Sequence, residues 1–327
     1  MSFSIDNETQ TETVGPLFEL RLPEFQNREQ MIDQAEKIEN FLIDIQNTDL
    51  LIVLARSGCL ALEIVKGYEA ALYSSKGAWG SNRLTEIPTV ELLVGRELGG
   101  QCEEDTGVIL PSPGYISQEV YEVKLPLKSE TKAVKVVFSW LEAEARKSGS
   151  QTSENLRILR EMAAGLGLVA KIVVLDEYGH SGFSQRVATP FFLGKVFPGA
   201  QMSVHQIDGD IARNMVKASF PRRIWDDHLL NDEGHARSVV LENLINGGVD
   251  YEGKLVPITQ DNFFDVGQRV ADFWRVKKNP AEELVAEYGL GNLLKIHEKA
   301  LVALRLRGIN LFYQRMSLSD RRTFSED

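Results

Sequence analysis

Two acidic residues and a run of small residues stand together near the middle of the chain. Asp176 and Glu177 directly follow four apolar residues at 172–175, and the segment 179–184 after them is rich in glycine and serine. Neighbouring acids offer acceptors in differing directions, which suits a pair of vicinal hydroxyls or the water shell of a metal ion. Small residues let successive backbone N–H groups converge on an anion, and a helix that starts there adds its positive dipole end. This combination suits a ribose 5-phosphate.

A second loop of unusual composition lies upstream of this one. The apolar run at 50–54 ends in a short turn that contains Arg56, Ser57 and Gly58. In open α/β sheets, ligands bind in the crevice outside the carboxyl ends of the strands. Both loops follow predicted strands, so both are candidates for that position.

The elements that must position these loops follow from the hydrophobic pattern. Apolar runs at 50–54, 168–175 and 200–207 alternate with helical patterns, which is typical of a parallel sheet. The sequence therefore predicts an α/β fold with a parallel twisted sheet flanked by helices, an N-terminal helix at 27–45 and a mainly helical C-terminal extension. Shorter patterns predict further strands at 89–94, 119–125 and 133–137, and further helices at 60–73, 139–148, 152–165 and 290–308.

The same patterns divide the chain into three segments. We expect an acidic N-terminal segment with an amphipathic helix at 1–46, a core at 47–211 and a mainly helical region at 212–327. Residues 1–48 hold ten acidic and three basic residues, so they carry −7 of the net charge of −11. The acidic helix has two interpretations, a solvated face or a docking surface for a basic partner.

The run IVVLDEYGHSGFS at 172–184 resembles the phosphoribosyl-pyrophosphate motif of the class I phosphoribosyltransferases. The upstream LLIVLARSG at 50–58 resembles the pyrophosphate loop of the same family. The resemblance covers about residues 47–207 and implies a phosphoribosyltransferase-like fold for that core. It does not extend to 1–46 or to 212–327.

The resemblance implies a site and an activity. Asp176 and Glu177 match the ribose-binding acids and would also serve as catalytic and metal-binding groups, with Mg²⁺ as the cofactor. The loop that holds the 5-phosphate would consist of Gly179, Ser181, Gly182, Phe183 and Ser184, and the pyrophosphate would be held by Arg56, Ser57 and Gly58. The implied ligand is phosphoribosyl pyrophosphate or a nucleotide, and the reaction transfers ribose 5-phosphate to or from a nitrogen base.

One position departs from the family pattern. His180 stands where family members often carry a catalytic Asp. An imidazole titrates near neutral pH, so His180 can act as an acid or base toward a nucleobase nitrogen, or it can simply cap the loop. The departure keeps an alternative open, namely a non-catalytic ligand sensor or regulatory partner protein with a phosphoribosyltransferase-like fold.

Other nucleotide-binding motifs are absent from the sequence. The run IVVLDE also fits a Walker B strand, but the chain has no G-x-x-x-x-G-K-[ST] loop. Gly165 and Gly167 precede their strand rather than follow it, which excludes a dinucleotide fingerprint there.

Composition limits the setting and the partners. A net charge of −11 argues against binding to nucleic acid, and no apolar run approaches the roughly 18 residues that span a bilayer. Two cysteines and the absence of a signal-peptide pattern predict a cytoplasmic protein. We also expect a homodimer or a protein partner, contacted through the C-terminal helices or the acidic N-terminal helix.

Overall fold

The computed structural model describes most of the chain outside its N-terminal end. The described residues are 19–54, 57–75, 83–92, 101–102, 108–110, 118–127, 130–139, 157, 159, 161, 164–165, 170–178, 193–194, 196–224, 232–251 and 254–323.

A four-stranded parallel sheet forms the centre of the described structure. Its strands are β1 (Leu50–Leu54), β2 (Thr89–Leu92), β7 (Lys171–Tyr178) and β8 (Gln201–Gly209), in the order β2-β1-β7-β8. All five residues of β1 are buried, as are Ile172, Val173, Val174 and Leu175 of β7. Strands buried on both faces explain the uninterrupted apolar runs in the sequence. The predicted α/β class and the parallel sheet are confirmed.

The predicted N-terminal helix is confirmed as α1 (Arg28–Asp44). It begins after Asn27, whose side chain accepts a hydrogen bond from the backbone N–H of Gln30 at 2.9 Å. Its apolar face, with Ile38 and Phe41 fully buried, packs against β8 and against the C-terminal helix. At its C-terminal end the helix meets β8, where Asp44 Oδ2 lies 2.8 Å from His205 Nε2.

The helix after β1 is α2 (Ser57–Ser75), and it packs against β7 and against the long C-terminal helix. Tyr68 of α2 also donates its hydroxyl proton to Glu39 Oε1 of α1 at 2.6 Å. A short helix, α3 (Arg83–Glu86), precedes β2. Helices therefore connect and cover this part of the parallel sheet.

A second sheet lies between β2 and β7 in the sequence. It contains β3 (Gln101–Cys102), β4 (Val108–Leu110), β5 (Gln118–Leu127) and β6 (Glu130–Ser139), in the order β3-β4-β6-β5. The strands predicted at 119–125 and 133–137 are thus present, and they pair with each other as neighbouring antiparallel strands rather than join the parallel sheet. The helix predicted at 139–148 lies outside the described residues except for Ser139, which ends β6.

The C-terminal region is mainly helical, as predicted. Its helices are α4 (Ile211–Ser219), α5 (Asp232–Ile245), α6 (Phe263–Trp274), α7 (Pro280–Tyr288), α8 (Leu290–Leu294) and α9 (Ile296–Thr323). A short antiparallel ladder of β9 (Val249–Tyr251) and β10 (Lys254–Val256) follows α5. The helix predicted at 290–308 is two helices, and the second continues to Thr323.

Residues from all three predicted segments contribute to one hydrophobic core. It joins Phe41 of α1, Val53 and Val173 of the sheet, and Leu241 and Leu304 of the C-terminal helices. The boundaries predicted at 46/47 and 211/212 stay predictions. None of the helices in the described part of the chain is long and apolar enough to cross a lipid bilayer.

Candidate functional site

The candidate site lies where the strand order of the parallel sheet changes direction. From β1 the chain leads to β2 on one side, and from β7 it leads to β8 on the other side. β1 and β7 are adjacent and parallel, with Val53 opposite Leu175, so their carboxyl ends lie side by side. This topological switch point is where open α/β sheets bind ligands, and both loops selected from the sequence start there.

Gly58 brings the start of α2 into contact with β7. A Cβ atom at Gly58 would lie 2.9 Å from the carbonyl oxygen of Leu175 and 3.5 Å from the Cα atom of Asp176. A side chain would therefore push the helix away from the strand, and glycine permits the approach. The first turn of α2 thus lies beside the backbone that carries the acidic pair.

The acidic pair belongs to the strand rather than to the loop after it. We predicted a strand that ends at 175, but β7 continues through Asp176 and Glu177 to Tyr178, with a register shift between Asp176 and Tyr178 in its pairing to β8. A bulge of this kind re-aims side chains at the end of a strand. Asp176 is 8% exposed, and its Oδ1 accepts the backbone N–H of Glu177 at 2.8 Å.

Glu177 lies in an acidic and largely desolvated environment. Burial is the main cause that raises the pKa of this carboxyl, a hydrogen bond from the backbone N–H of Ile211 lowers it, and the nearby charges of Asp210, Asp176 and Asp208 raise it; together they bring the pKa to about 8. A perturbed carboxyl at the end of a parallel strand is typical of functional sites. At neutral pH it carries a proton for much of the time and can donate a hydrogen bond.

Two further acids of this cluster, Asp208 and Asp210, were not selected from the sequence. Asp208 accepts hydrogen bonds from Gln34 Nε2 and from the backbone N–H of Gly209, both at 2.8 Å, and burial raises its pKa. Asp210 precedes α4 with a φ of 48°, in the left-handed region that few residues other than glycine adopt. The sequence signal that could have indicated these acids is the run Asp-Gly-Asp at 208–210, between a strand and a helix.

The remaining predicted site residues lie mostly outside the described residues. Ser57 is the first residue of α2. The predictions for seven other residues stay predictions because these residues are not among those described: Arg56, Gly179, His180, Ser181, Gly182, Phe183 and Ser184. Within the described ranges, no three His, Cys, Asp or Glu side chains are grouped so that they could hold a metal ion.

Comparisons of the chain with protein-family models, with curated proteins and with solved structures found no match. The geometry of the switch point and the sequence of its two loops are therefore the basis for assigning a function.

Proposed function

We propose that this protein is phosphoribosyltransferase-like and binds phosphoribosyl pyrophosphate or a nucleotide 5-phosphate at the switch point between β1 and β7. We further propose that it transfers ribose 5-phosphate to or from a nitrogen base. The observation that supports this most is the approach of α2 to β7 at Gly58. It brings the first turn of α2 against the acidic pair at the end of β7.

The acidic pair is suited to the ribose. Asp176 and Glu177 are neighbours at the carboxyl end of β7, beside a register shift of the kind that re-aims side chains, and in this proposal they address two vicinal hydroxyls. A carboxylate accepts a hydrogen bond from a hydroxyl group. A carboxyl that stays protonated, as the raised pKa of Glu177 favours, can also donate a hydrogen bond to a hydroxyl oxygen. A pair with one group of each kind would bind a diol through complementary hydrogen bonds.

The two loops are suited to the phosphates. In the proposed complex the 5-phosphate is bound by the segment with Ser181, Gly182 and Ser184, flanked by Gly179 and Phe183. The pyrophosphate is bound by Arg56, by Ser57 and by backbone N–H groups around Gly58. Helix starts and glycine-rich turns bind anions through oriented N–H groups, so the net charge of −11 does not oppose such a ligand.

The residues present fit Mg²⁺ as a cofactor of this site. Mg²⁺ retains several waters and uses one or two carboxylates together with substrate phosphates, so Asp176, joined by Glu177 when the latter loses its proton to the bound cation, would be a sufficient protein contribution. The acidic cluster around Glu177 also favours a cation, because its charges repel one another. When bound, Mg²⁺ would neutralise part of the pyrophosphate charge.

Catalysis in this proposal depends on binding and orientation. Charge builds up on the pyrophosphate as its bond to the ribose breaks, and donors already directed at that position stabilise it at little reorganisation cost. Holding the base nitrogen against the ribose carbon removes much of the entropic barrier. His180 would exchange a proton with the base nitrogen.

Pyrophosphate release tests this proposal. The full-length protein is incubated with phosphoribosyl pyrophosphate, Mg²⁺ and each of a panel of nucleobases. We expect release with at least one base, and a decrease of about tenfold or more in Asp176→Asn, because a hydrogen bond to a charged group is lost. Glu91→Gln, on the exposed side of β2, is the matched control and should leave the rate unchanged.

Binding of phosphoribosyl pyrophosphate without pyrophosphate release with any base would instead favour the alternative, a non-catalytic sensor of the same ligand.

We also propose a homodimer or a protein partner. Exposed apolar residues along α9 support this, and they are Val302, Leu306, Tyr313 and Met316.

A further inference from the structure

The strand β8 forms one edge of the parallel sheet and is nine residues long. Among the described strands it pairs with β7 on one side and with no strand on the other. A long open edge presents a row of backbone N–H and C=O groups to any other strand, and natural proteins usually shorten, cover or charge such an edge. The hydrogen bonds and the composition of β8 show whether this edge is protected.

The backbone of β8 directs alternate residues toward β7 and away from it. Gln201 faces β7, because its N–H donates to the carbonyl oxygen of Ala170 at 2.9 Å. Both backbone groups of one strand residue point to the same side, and those of the next residue point to the other side. The pairing keeps a regular register as far as Asp176. The outward-facing residues over this stretch are therefore Met202, Val204 and Gln206.

The outward backbone groups of these three residues have no hydrogen-bond partner in the described part of the chain. Each residue has one N–H and one C=O, so the edge offers an equal number of donors and acceptors. The edge is also accessible, since Val204 is 38% exposed and Gln201 is exposed as well. A further strand can therefore pair with β8 along this stretch.

The composition of this edge favours a second copy of the same chain as that strand. The segment 201–207 contains no Lys, Arg, Asp, Glu or Pro, so it lacks the residues that protect open edges. The chain as a whole has a net charge of −11, which opposes contact between two copies at most other places. Two β8 strands can pair without placing like charges opposite each other.

The spacing of the outward groups also fits a two-fold axis. In an antiparallel pair, residues directly opposite each other can exchange both of their N–H···O bonds. An axis at Val204 places this residue opposite its own copy, and it places Met202 opposite Gln206 of the second molecule. The outward groups of all three residues are then satisfied in both copies, because they lie symmetrically about Val204.

We propose that two copies of this protein associate through β8, paired antiparallel about a two-fold axis at Val204, so that the sheet continues across the dimer. The two Val204 side chains meet at the axis, which removes exposed apolar surface from water. This interface specifies the homodimer proposed above. It does not involve the ends of β1 and β7, so it can fail while the phosphoribosyl site stands.

Sedimentation velocity of the full-length protein measures the association. We expect a reversible dimer with a dissociation constant of about 10–100 μM, because one strand pair buries less than the roughly 1,200 Å² at which stable interfaces begin. The proposal is overturned if the protein stays monomeric up to about 500 μM, well above that range.

Two variants locate the interface. Val204→Lys places like charges opposite each other at the axis, and an edge position tolerates the long side chain. We expect it to raise the dissociation constant about tenfold or more. Val302→Lys is the matched comparison, because it makes the same substitution at a 60% exposed valine of α9, and it should leave the dimer unchanged.

Residue-resolved amide hydrogen exchange of the wild-type protein gives a readout that needs no variant. At a concentration about ten times the dissociation constant, roughly one fifth of the chains are monomeric. The N–H groups of Met202, Val204 and Gln206 should then exchange about fivefold more slowly than in dilute protein. Ser203 and His205 face β7, so the exchange of their N–H groups should change little with concentration.

The proposal is overturned if Val204→Lys dimerises as tightly as the wild type. It is equally overturned if Val302→Lys weakens the dimer while Val204→Lys does not, or if the slowed exchange lies in α9 instead of alternating along β8, because either result places the interface on α9. A Val204→Lys protein that does not fold leaves the decision to sedimentation and hydrogen exchange of the wild type.

Discussion

At the scale of single residues, the site is defined by carboxyl groups brought together at the ends of β7 and β8. Glu177 has four influences on its pKa beyond burial, and three of them are neighbouring acids. Folding therefore brings negative charges together that are far apart in an unfolded chain. Such a cluster costs stability at neutral pH and is expected where function requires it.

Glu177→Gln tests this environment through the pH dependence of stability. The folded pKa of Glu177 is about 8 against an ordinary value of 4.5, so its favourable contribution is complete below pH 4.5 and is lost as the pH rises through 8. We expect the free energy of unfolding to fall less steeply between pH 4.5 and 8 in Glu177→Gln than in the wild type. Denaturant unfolding at a series of pH values measures this.

The exposed Glu91→Gln provides the control for that series and should retain the wild-type slope. An unchanged slope in Glu177→Gln would contradict the burial of this carboxyl among the other acids.

The acidic pair and Gly58 could be selected from the sequence because their signals are local. An apolar run followed by two acids, or by a glycine turn, is visible within about a dozen residues. Asp208 and Asp210 also have a local signal, Asp-Gly-Asp between a strand and a helix, but it does not show that they lie near Glu177. Their proximity to Glu177 depends on the pairing of β7 with β8 and on the register shift near Tyr178, which are tertiary features.

At the scale of elements, the position of α2 depends on how closely it meets α9. A Cβ atom at Gly67 would overlap the carbonyl oxygen of Arg305, and one at Gly308 would overlap the carbonyl oxygen of Ile64. The two backbones are therefore in direct contact, and Arg305 also donates two hydrogen bonds to Glu63 nearby, at 2.6 and 3.0 Å. This crossing supports the helix whose first turn reaches the site.

Gly308→Ala should destabilise the protein by about 1–3 kcal/mol, because the added methyl forces α9 away from α2. Gly291→Ala is the matched control within a helix. Its Cβ would meet nothing within 4 Å, so we expect a gain of roughly 0.5–1 kcal/mol from the lower entropy of the unfolded chain. Chemical denaturation of both variants measures the difference. Equal stabilities would show that the two helices do not meet so closely.

The elements themselves were predictable to different degrees. The helix at 27–45 was predicted from its apolar spacing alone, and the structure shows that Asn27 caps its N-terminus. The end of α9 was missed, since exposed apolar residues such as Tyr313 blur the amphipathic pattern beyond 308. Membership of 119–125 and 133–137 in a second sheet depends on strand pairing, which a local pattern does not encode.

At the scale of the whole molecule, the described part of the acidic N-terminal segment, residues 19–46, contributes to the folded core. Within α1, Glu29, Asp33 and Glu36 are exposed, while Phe41 and the following Ile45 are fully buried. This arrangement leaves both interpretations of the acidic face open, and it adds a structural role for the helix that carries it.

Phe41→Ala should therefore destabilise the entire protein, by about 3–5 kcal/mol, because it leaves a cavity between α1 and β8. Ile43→Ala, two residues away on the same helix and 67% exposed, should change the stability by no more than about 0.5 kcal/mol. Thermal unfolding followed by circular dichroism compares the two. A small effect of Phe41→Ala would indicate that α1 is dispensable for the core.

Isothermal titration of the full-length protein with phosphoribosyl pyrophosphate and Mg²⁺ tests the central claim most directly. The proposed site at the ends of β1 and β7 predicts saturable binding at submillimolar ligand, weakened about tenfold or more by Asp176→Asn and unaffected by Glu91→Gln. Absence of binding to the wild-type protein at millimolar ligand, or binding to Asp176→Asn as tight as to the wild type, would contradict the proposed site.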